Sequence, residues 1–388
     1  MREREIGPTF AARVPEADQS TDGSRPRVVL VHDYLLVMRG AERTFAALAE
    51  HYSDAPIATL LYDEAGTSER FSGREIITSP LQRLGVSQAA FRRLLPLYPI
   101  AIEHLALPPA ALVLSSSSAF AHGVRAPADA IHVCYCHAPF RYAWYEEERA
   151  LTEVPLPLRP LLRLQLRRMR RWDAAASGRV DAYIANSHLT RERIKLYYGR
   201  EAPIIHPPVE THRFSVGKPG DAVLVVSELV RHKRVHVALE AARRARVPIR
   251  VVGSGPDHRA LIDAYPEVEF LGRLSDEEIA ESYSRALAVV VPSMEEFGIT
   301  AVEAQASGRP VIAAAAGGAL ETVLEGVTGR LVELDDVDAF ARAIATIDSF
   351  AFDPLRAVEN AARFSVAAFQ RAVSAELEQV AGSKLRSG

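Results

Sequence analysis

Two carboxylates, Glu295 and Glu303, stand with seven residues between them, and Phe297-Gly298 lies inside that interval. Carboxylates do not bind phosphate, but they accept hydrogen bonds from diols. Backbone N–H groups from Phe297 to Thr300 open a helix and lack intrahelical partners. They offer a diphosphate the positive end of the helix dipole. A carboxylate at each end of a diphosphate suggests a sugar on one side and a ribose on the other. The plainer reading is an exposed helix with acidic residues in its first turn. The surroundings argue against it. Apolar runs at 286–291 and 311–316 read as buried strands, and Ser307-Gly308-Arg309-Pro310 stops the helix between them. Strand, loop, helix, strand is a βαβ unit, and ligands bind at such loops in open parallel sheets.

Other side chains fall at comparable places. Lys233 follows the apolar run 222–226 in a strand–helix loop, where an ammonium can reach the same phosphates; Arg231 and Arg234 flank it. His137 comes directly after the run 131–136 and before Ala138-Pro139, which puts it at the rim of a sheet rather than in its core. Gly40 opens a helix after the strand 27–31 and lets a ligand or a facing domain come close to the backbone. Asp336-Val337-Asp338 has the spacing of a metal-binding pair, but it opens a helix and reads as N-terminal helix charge. Cys134 and Cys136 read as plain hydrophobes on one face of a buried strand. No metal site is expected. Gly253-Ser254-Gly255 lacks the third glycine of a dinucleotide fingerprint.

The interval from Glu295 to Glu303 resembles the donor-site signature of the family-4 retaining glycosyltransferases, and the likeness extends from residue 27 to the C-terminal helix. It implies the GT-B fold: α/β, with two Rossmann-like domains facing across a cleft. By resemblance, His137 reaches the donor sugar and backbone groups near Leu274 read the nucleobase; Ser275 also reads as a helix N-cap with Glu278 completing a capping box. Arg39-Gly40-Ala41-Glu42 resembles a Gly-Gly-x-Glu turn with Arg39 in place of the first glycine. At Glu228 the family carries a phosphate-binding arginine. Either Arg231 or Arg234 supplies the missing cation, or one cation suffices.

The elements that must position these residues fit the chain's bounds. At 388 residues there is room for two α/β domains. Residues 1–26 read as a disordered extension and 27–210 as the first domain. A linker covers 211–221, and 222–364 form the nucleotide-sugar domain. A helix over 365–388 crosses back to complete the first. A net charge of -3 does not indicate nucleic acid as a partner. No stretch has the length of a transmembrane helix or the apolar core of a signal peptide, so a cytoplasmic protein is expected. Residues 156–172 mix leucine with arginine. They read either as a helix that rests on anionic lipid or as a packed helix with a solvated basic face.

The resemblance implies a metal-independent, retaining transfer from a nucleotide sugar to an acceptor hydroxyl, with no cofactor beyond that substrate. His137, Glu295 and Lys233 are the expected catalytic residues. Gly40, Arg234, Leu274, Phe297, Gly298, Ile299, Thr300 and Glu303 are the expected donor contacts. Likeness to bacterial polysaccharide mannosyltransferases around 136–145 and 227–234 favours GDP-mannose and a glycan or lipid-linked acceptor. A UDP-sugar donor, a nucleotide-sugar epimerase of the same fold and a catalytically silent binding protein remain as alternatives.

Overall fold

The computed structural model describes residues 28–85, 91–152 and 154–387. The extension expected over 1–26, and Arg27 at the start of the first strand, lie outside the described residues. Two six-stranded parallel sheets organise the rest. The first holds β1 (Val28–His32), β2 (Ile57–Thr59), β3 (Ile76–Thr78), β4 (Leu112–Ser117), β5 (Ile131–Cys136) and β6 (Ala182–Ala185), in the order β3-β2-β1-β4-β5-β6. The second holds β7 (Val223–Val226), β8 (Ile249–Val252), β9 (Glu269–Gly272), β10 (Val289–Val291), β11 (Val311–Ala314) and β12 (Gly329–Val332), in the order β12-β11-β10-β7-β8-β9. Counted from its own first strand, each sheet is wound 3-2-1-4-5-6. The winding therefore reverses beside β1 and beside β7, and a crevice opens there at the carboxyl ends.

The strands are apolar on both faces because helices cover both faces. Val29, Leu30 and Val31 are all fully buried, and so are Val289, Ile312 and Ala313. Cys134 and Cys136 are buried free thiols packed with Val180, Tyr183 and Ile194. Residues 203–210 form no regular strand; Ile204 bridges Ala185 and Val209 bridges Ser365. Three prolines there, Pro203, Pro207 and Pro208, lack the donors that a ladder needs.

The helix Val366–Ser387 packs on the first domain, not the second. Phe369, Val373 and Leu377 are buried among Leu30, Phe45 and Tyr135, and Gln370 Nε2 donates to the Ala47 carbonyl at 2.9 Å. The chain thus passes between the domains twice. Ion pairs fasten the same seam. Arg43 binds Glu210 at 2.9 Å and Asp276 at 2.8 Å, and Arg213 meets the same two carboxylates, each at 3.1 Å.

The arginine-rich segment forms the helix Arg159–Ser177. Arg170 pairs with Glu147 at 2.9 Å and Arg163 with the same carboxylate at 3.4 Å, so part of its basic face is matched within the protein. Leu156, Leu158, Leu161 and Leu164 are exposed. Its inner face carries Asp173, fully buried. That carboxylate accepts from Trp144 Nε1 at 2.6 Å and Tyr198 Oη at 2.7 Å, and lies 3.0 Å from His122 Nε2. Among the described residues no helix is long and apolar enough to cross a membrane.

Candidate active site

Between the carboxyl ends of the two sheets lies a cavity of about 650 Å³, within the usual range of small-molecule sites. Second-domain loops after β7, β9 and β10 form one wall. The first-domain loops after β1, β4 and β5 form the other. His137, Lys233, Glu295, Gly40, Leu274 and the run Phe297–Thr300 all line it.

The loop after β10 is built to hold its shape. Phe297 is buried against Phe364 and His206, with ring centroids 5.4 and 5.5 Å away. The Glu295 carbonyl accepts from Gly318 N at 2.8 Å. Gly298 then caps the helix Ile299–Ala306 at φ +87°, a left-handed conformation that glycine adopts without strain. The amides beyond it therefore start the helix at the cleft wall. Glu295 is held at both oxygens: Ser293 Oγ donates to Oε1 and Lys233 Nζ to Oε2, each at 2.5 Å.

Opposite, His137 is more enclosed than a rim position implied. Its side of the sheet is sealed by Tyr135 and His32, whose rings lie 5.2 and 6.4 Å away. Nε2 is 2.8 Å from Ser116 Oγ, and His32 Nδ1 is 3.1 Å from the same hydroxyl. One hydroxyl can donate to only one of the two rings, so their tautomers are coupled. Burial first, and then the neighbouring His32, push the His137 pKa down to about 3. A histidine whose folded pKa lies below its usual 6.5 loses stability as the pH falls from about 6.5 toward that lower value. We expect the His137 ring to stay neutral at pH 5 by imidazole NMR. Titration near 6.5 would show a ring open to water.

The glycine at 40 serves the facing domain. A Cβ there would stand 3.0 Å from Ile299 Cδ1, so a side chain at 40 would require the Ile299 side chain to shift. Beside it, Arg39 reaches Glu228 across the cleft at 3.8 Å. Both are half-exposed, and such a pair adds under about 1 kcal/mol of stability. Its placement matters more: these are the two residues that depart from the expected pattern. The cation absent from the second domain at 228 stands on the first domain at 39.

Two expected donor contacts lie elsewhere. Arg234 is not among the cleft-lining residues. It sits at φ +52° at the start of the helix Val235–Ala245, and its guanidinium pairs with Asp335. Arg231 is exposed and also outside the lining. Glu303 is one turn beyond Ile299 and lines a smaller adjoining pocket with Arg43 and Arg213. Its carboxylate accepts from Tyr283 Oη at 2.7 Å, and burial raises its pKa. Three charged lining residues were not singled out from the sequence: Arg141, Arg273 and Glu296. The signal for Arg141 was its place in the same strand-end loop as His137. Arg273 precedes Leu274 and donates to Ser254 Oγ at 2.7 Å. Asp336 caps its helix by accepting from Ala339 N at 2.8 Å, as its helix-opening position implied. Among the described residues no group of three or more His, Cys, Asp or Glu is placed to hold a metal ion.

Comparison with known proteins bears on both domains. Residues 38–213 match the model for Glycosyltransferase Family 4, and residues 209–363 match that for Glycosyl transferases group 1. A D-inositol 3-phosphate glycosyltransferase of Mycobacterium sp. (strain KMS) is 31% identical over 235 residues, covering 50% of this chain and 53% of the relative. A GDP-mannose-dependent alpha-(1-6)-phosphatidylinositol monomannoside mannosyltransferase of Mycolicibacterium smegmatis is 31% identical over 239 residues, covering 53% and 60%. The chain spans about half the length of the curated relatives it matches. Among solved structures, Anabaena Alr3699/HepE in complex with UDP superposes with a TM-score of 0.68 at 19% identity, over 91% of this chain and all of the other. A sucrose-phosphate synthase from Thermosynechococcus elongatus gives 0.67 at 19% identity, over 92% of this chain and all of the other. The fold is GT-B.

Proposed function

We propose that this chain, whose two domains match the models for Glycosyltransferase Family 4 and Glycosyl transferases group 1, moves a sugar from a nucleotide diphosphate to an acceptor hydroxyl. The observation that carries the reading is one cleft lined by Lys233, Glu295 and the helix start at Gly298 on one wall and by His137 on the other. Lys233 and the amides beyond Gly298 hold the diphosphate; Glu295 and His137 orient the sugar. The Lys233 ammonium lies against Glu295, so an incoming diphosphate competes for it and draws the two roles together. Leu274 and Arg273 stand at the nucleoside end.

Transfer is retaining in this reading. The acceptor attacks on the face from which the diphosphate leaves, and the leaving oxygen takes the acceptor proton. The C–O bond to diphosphate breaks as the C–O bond to the acceptor forms. Catalysis is then stabilisation of the leaving charge together with positioning. Glu303 has to exchange the Tyr283 hydroxyl for a ribose hydroxyl before it can hold the nucleoside. A neutral His137 acts as a hydrogen-bonding group rather than as a charge.

GDP-mannose is the proposed donor, supported by the name of the Mycolicibacterium relative; the UDP bound to Alr3699/HepE favours the alternative of a UDP-sugar. A thermal-shift comparison separates them. GDP should raise the melting temperature more than UDP at equal concentration, because the tighter ligand stabilises the folded state more. The shift should persist in EDTA. A larger shift with UDP moves the donor to a UDP-sugar, and a shift abolished by EDTA overturns the metal-independent mechanism. Surface polysaccharide synthesis at an anionic membrane face completes the proposal. Its support is the exposed leucines beside the arginines of the helix Arg159–Ser177.

A further inference from the structure

Four lysine or arginine side chains line the cleft, and three of them already have a place. Lys233 Nζ meets Glu295 at 2.5 Å. Arg141 is partly buried. Burial opposes its charge, but Glu296, Tyr145 and Glu146 outweigh that and keep its pKa above the ordinary arginine value. Arg273 donates from Nε to Ser254 Oγ at 2.7 Å, beside Leu274 at the nucleoside end. Arg39 is the fourth. Its carboxylate partner, Glu228, is 3.8 Å away, longer than a hydrogen bond, and the two side chains are 53% and 46% exposed. A pair so loose and so wet is readily exchanged.

Arg39 also stands where a phosphate would lie. It precedes Gly40, and a Cβ on Gly40 would come to 3.0 Å from Ile299 Cδ1. Arg39 is therefore next to the start of the helix Ile299–Ala306. The helix Gly40–His51 begins against it on the opposite wall. Two helix starts, each the positive end of a dipole, meet there. A diphosphate between them would find Lys233 shared with Glu295, and Glu228, on the same loop as Lys233, would repel it. A guanidinium presents parallel N–H donors that fit a pair of phosphate oxygens.

We propose that Arg39 is a second cation for the donor diphosphate, supplied by the first domain and held by Glu228 until the donor arrives. This rests on the nucleotide-sugar reading above. The sugar-bearing phosphate replaces Glu228 as the acceptor of the Arg39 fork. Attraction between the two walls then passes through the substrate instead of through a carboxylate.

The test is calorimetric titration of the full chain with GDP or UDP, whichever binds more tightly, and with the matching monophosphate, which lacks the distal phosphate. Arg39→Gln should weaken the diphosphate about tenfold, the scale of losing a charge-assisted hydrogen bond. The monophosphate should stay within about twofold of its unaltered affinity, since its one phosphate lies at the nucleoside side. Arg39→Lys should recover part of the loss, because it keeps the charge without the fork. Glu228→Gln should tighten the diphosphate, and adding Arg39→Gln to it should again cost about tenfold. That double variant separates a phosphate ligand from a screen: a cost that vanishes once position 228 is neutral means that Arg39 only shields the carboxylate, and overturns the proposal. Unchanged diphosphate affinity in Arg39→Gln overturns it too. So does an equal loss for the monophosphate, or a Glu228→Gln protein that binds the diphosphate no more tightly. Failure of both GDP and UDP to bind the unaltered protein would remove the nucleotide-sugar reading itself, a result distinct from the other failures.

Discussion

Replacing Lys233 with alanine should lower kcat by about two to three orders of magnitude, the cost of removing one preorganised group that meets a developing negative charge. Lys233 is the cleft cation that stands in the second-domain loop after β7 and touches the proposed sugar-orienting carboxylate, Glu295. Arg231 and Arg234 do not line the cleft, so neither takes over its part. Arg39 competes with it among the other cleft arginines, Arg141 and Arg273, because it faces the Glu228 position from the other domain. Single-turnover rates for Lys233→Ala and Arg39→Ala at saturating donor decide between them. A mild effect at Lys233 with a large one at Arg39 would move the leaving-group cation to the first domain.

Asp173→Ala should cost the first domain about 3–5 kcal/mol, because it leaves the Trp144 and Tyr198 donors facing an apolar methyl and removes the carboxylate beside His122. Trp144, Tyr198 and His122 all converge on that one carboxylate. Trp144 lies in the segment that follows His137 and Arg141, so the loss should loosen the first-domain wall of the cleft as well. The two tryptophans of the chain, Trp144 and Trp172, are both in the first domain. Intrinsic fluorescence during urea unfolding therefore reports this domain without interference from the second. Asp173→Asn keeps one acceptor oxygen and should cost less. A midpoint unchanged in Asp173→Ala would mean that water replaces the carboxylate, and that the Trp144 and Tyr198 donors do not depend on it.

Much of the second domain was legible because its signals are local. The apolar runs beside Glu295, the Gly298 turn and the Ser307–Pro310 stop each act within a few residues, and the helix Ile299–Ala306 lies between them. The same holds for Ser275 and Glu278, which form the expected capping box. The strands β2 and β3 were passed over, since three residues carry no measurable period.

Side-chain direction was harder to read. Arg234 neighbours Lys233 in sequence, yet the left-handed backbone at Arg234 sends the two cations apart, one to Asp335 and one to Glu295. Nothing in the residue type announces a positive φ at an arginine. Glu303 was placed by its spacing from Glu295, but its partner Tyr283 comes from another helix, Asp276–Ser284, and no local pattern links them. Arg39 and Glu228 looked like two unrelated departures from a pattern. Their meeting depends on how two domains dock, which is the kind of contact a linear reading cannot place.

The returning helix Val366–Ser387 also bears on how the molecule is made. A ribosome delivers the first domain first, and domains ordinarily fold as they emerge. Here Phe369, Val373 and Leu377 fill space beside Phe45 and Tyr135, and they are translated only after all of β7 to β12. The nascent first domain therefore waits, with one side of its core uncovered, while the second domain can already close. The part of the protein that is synthesised first is the part that is finished last.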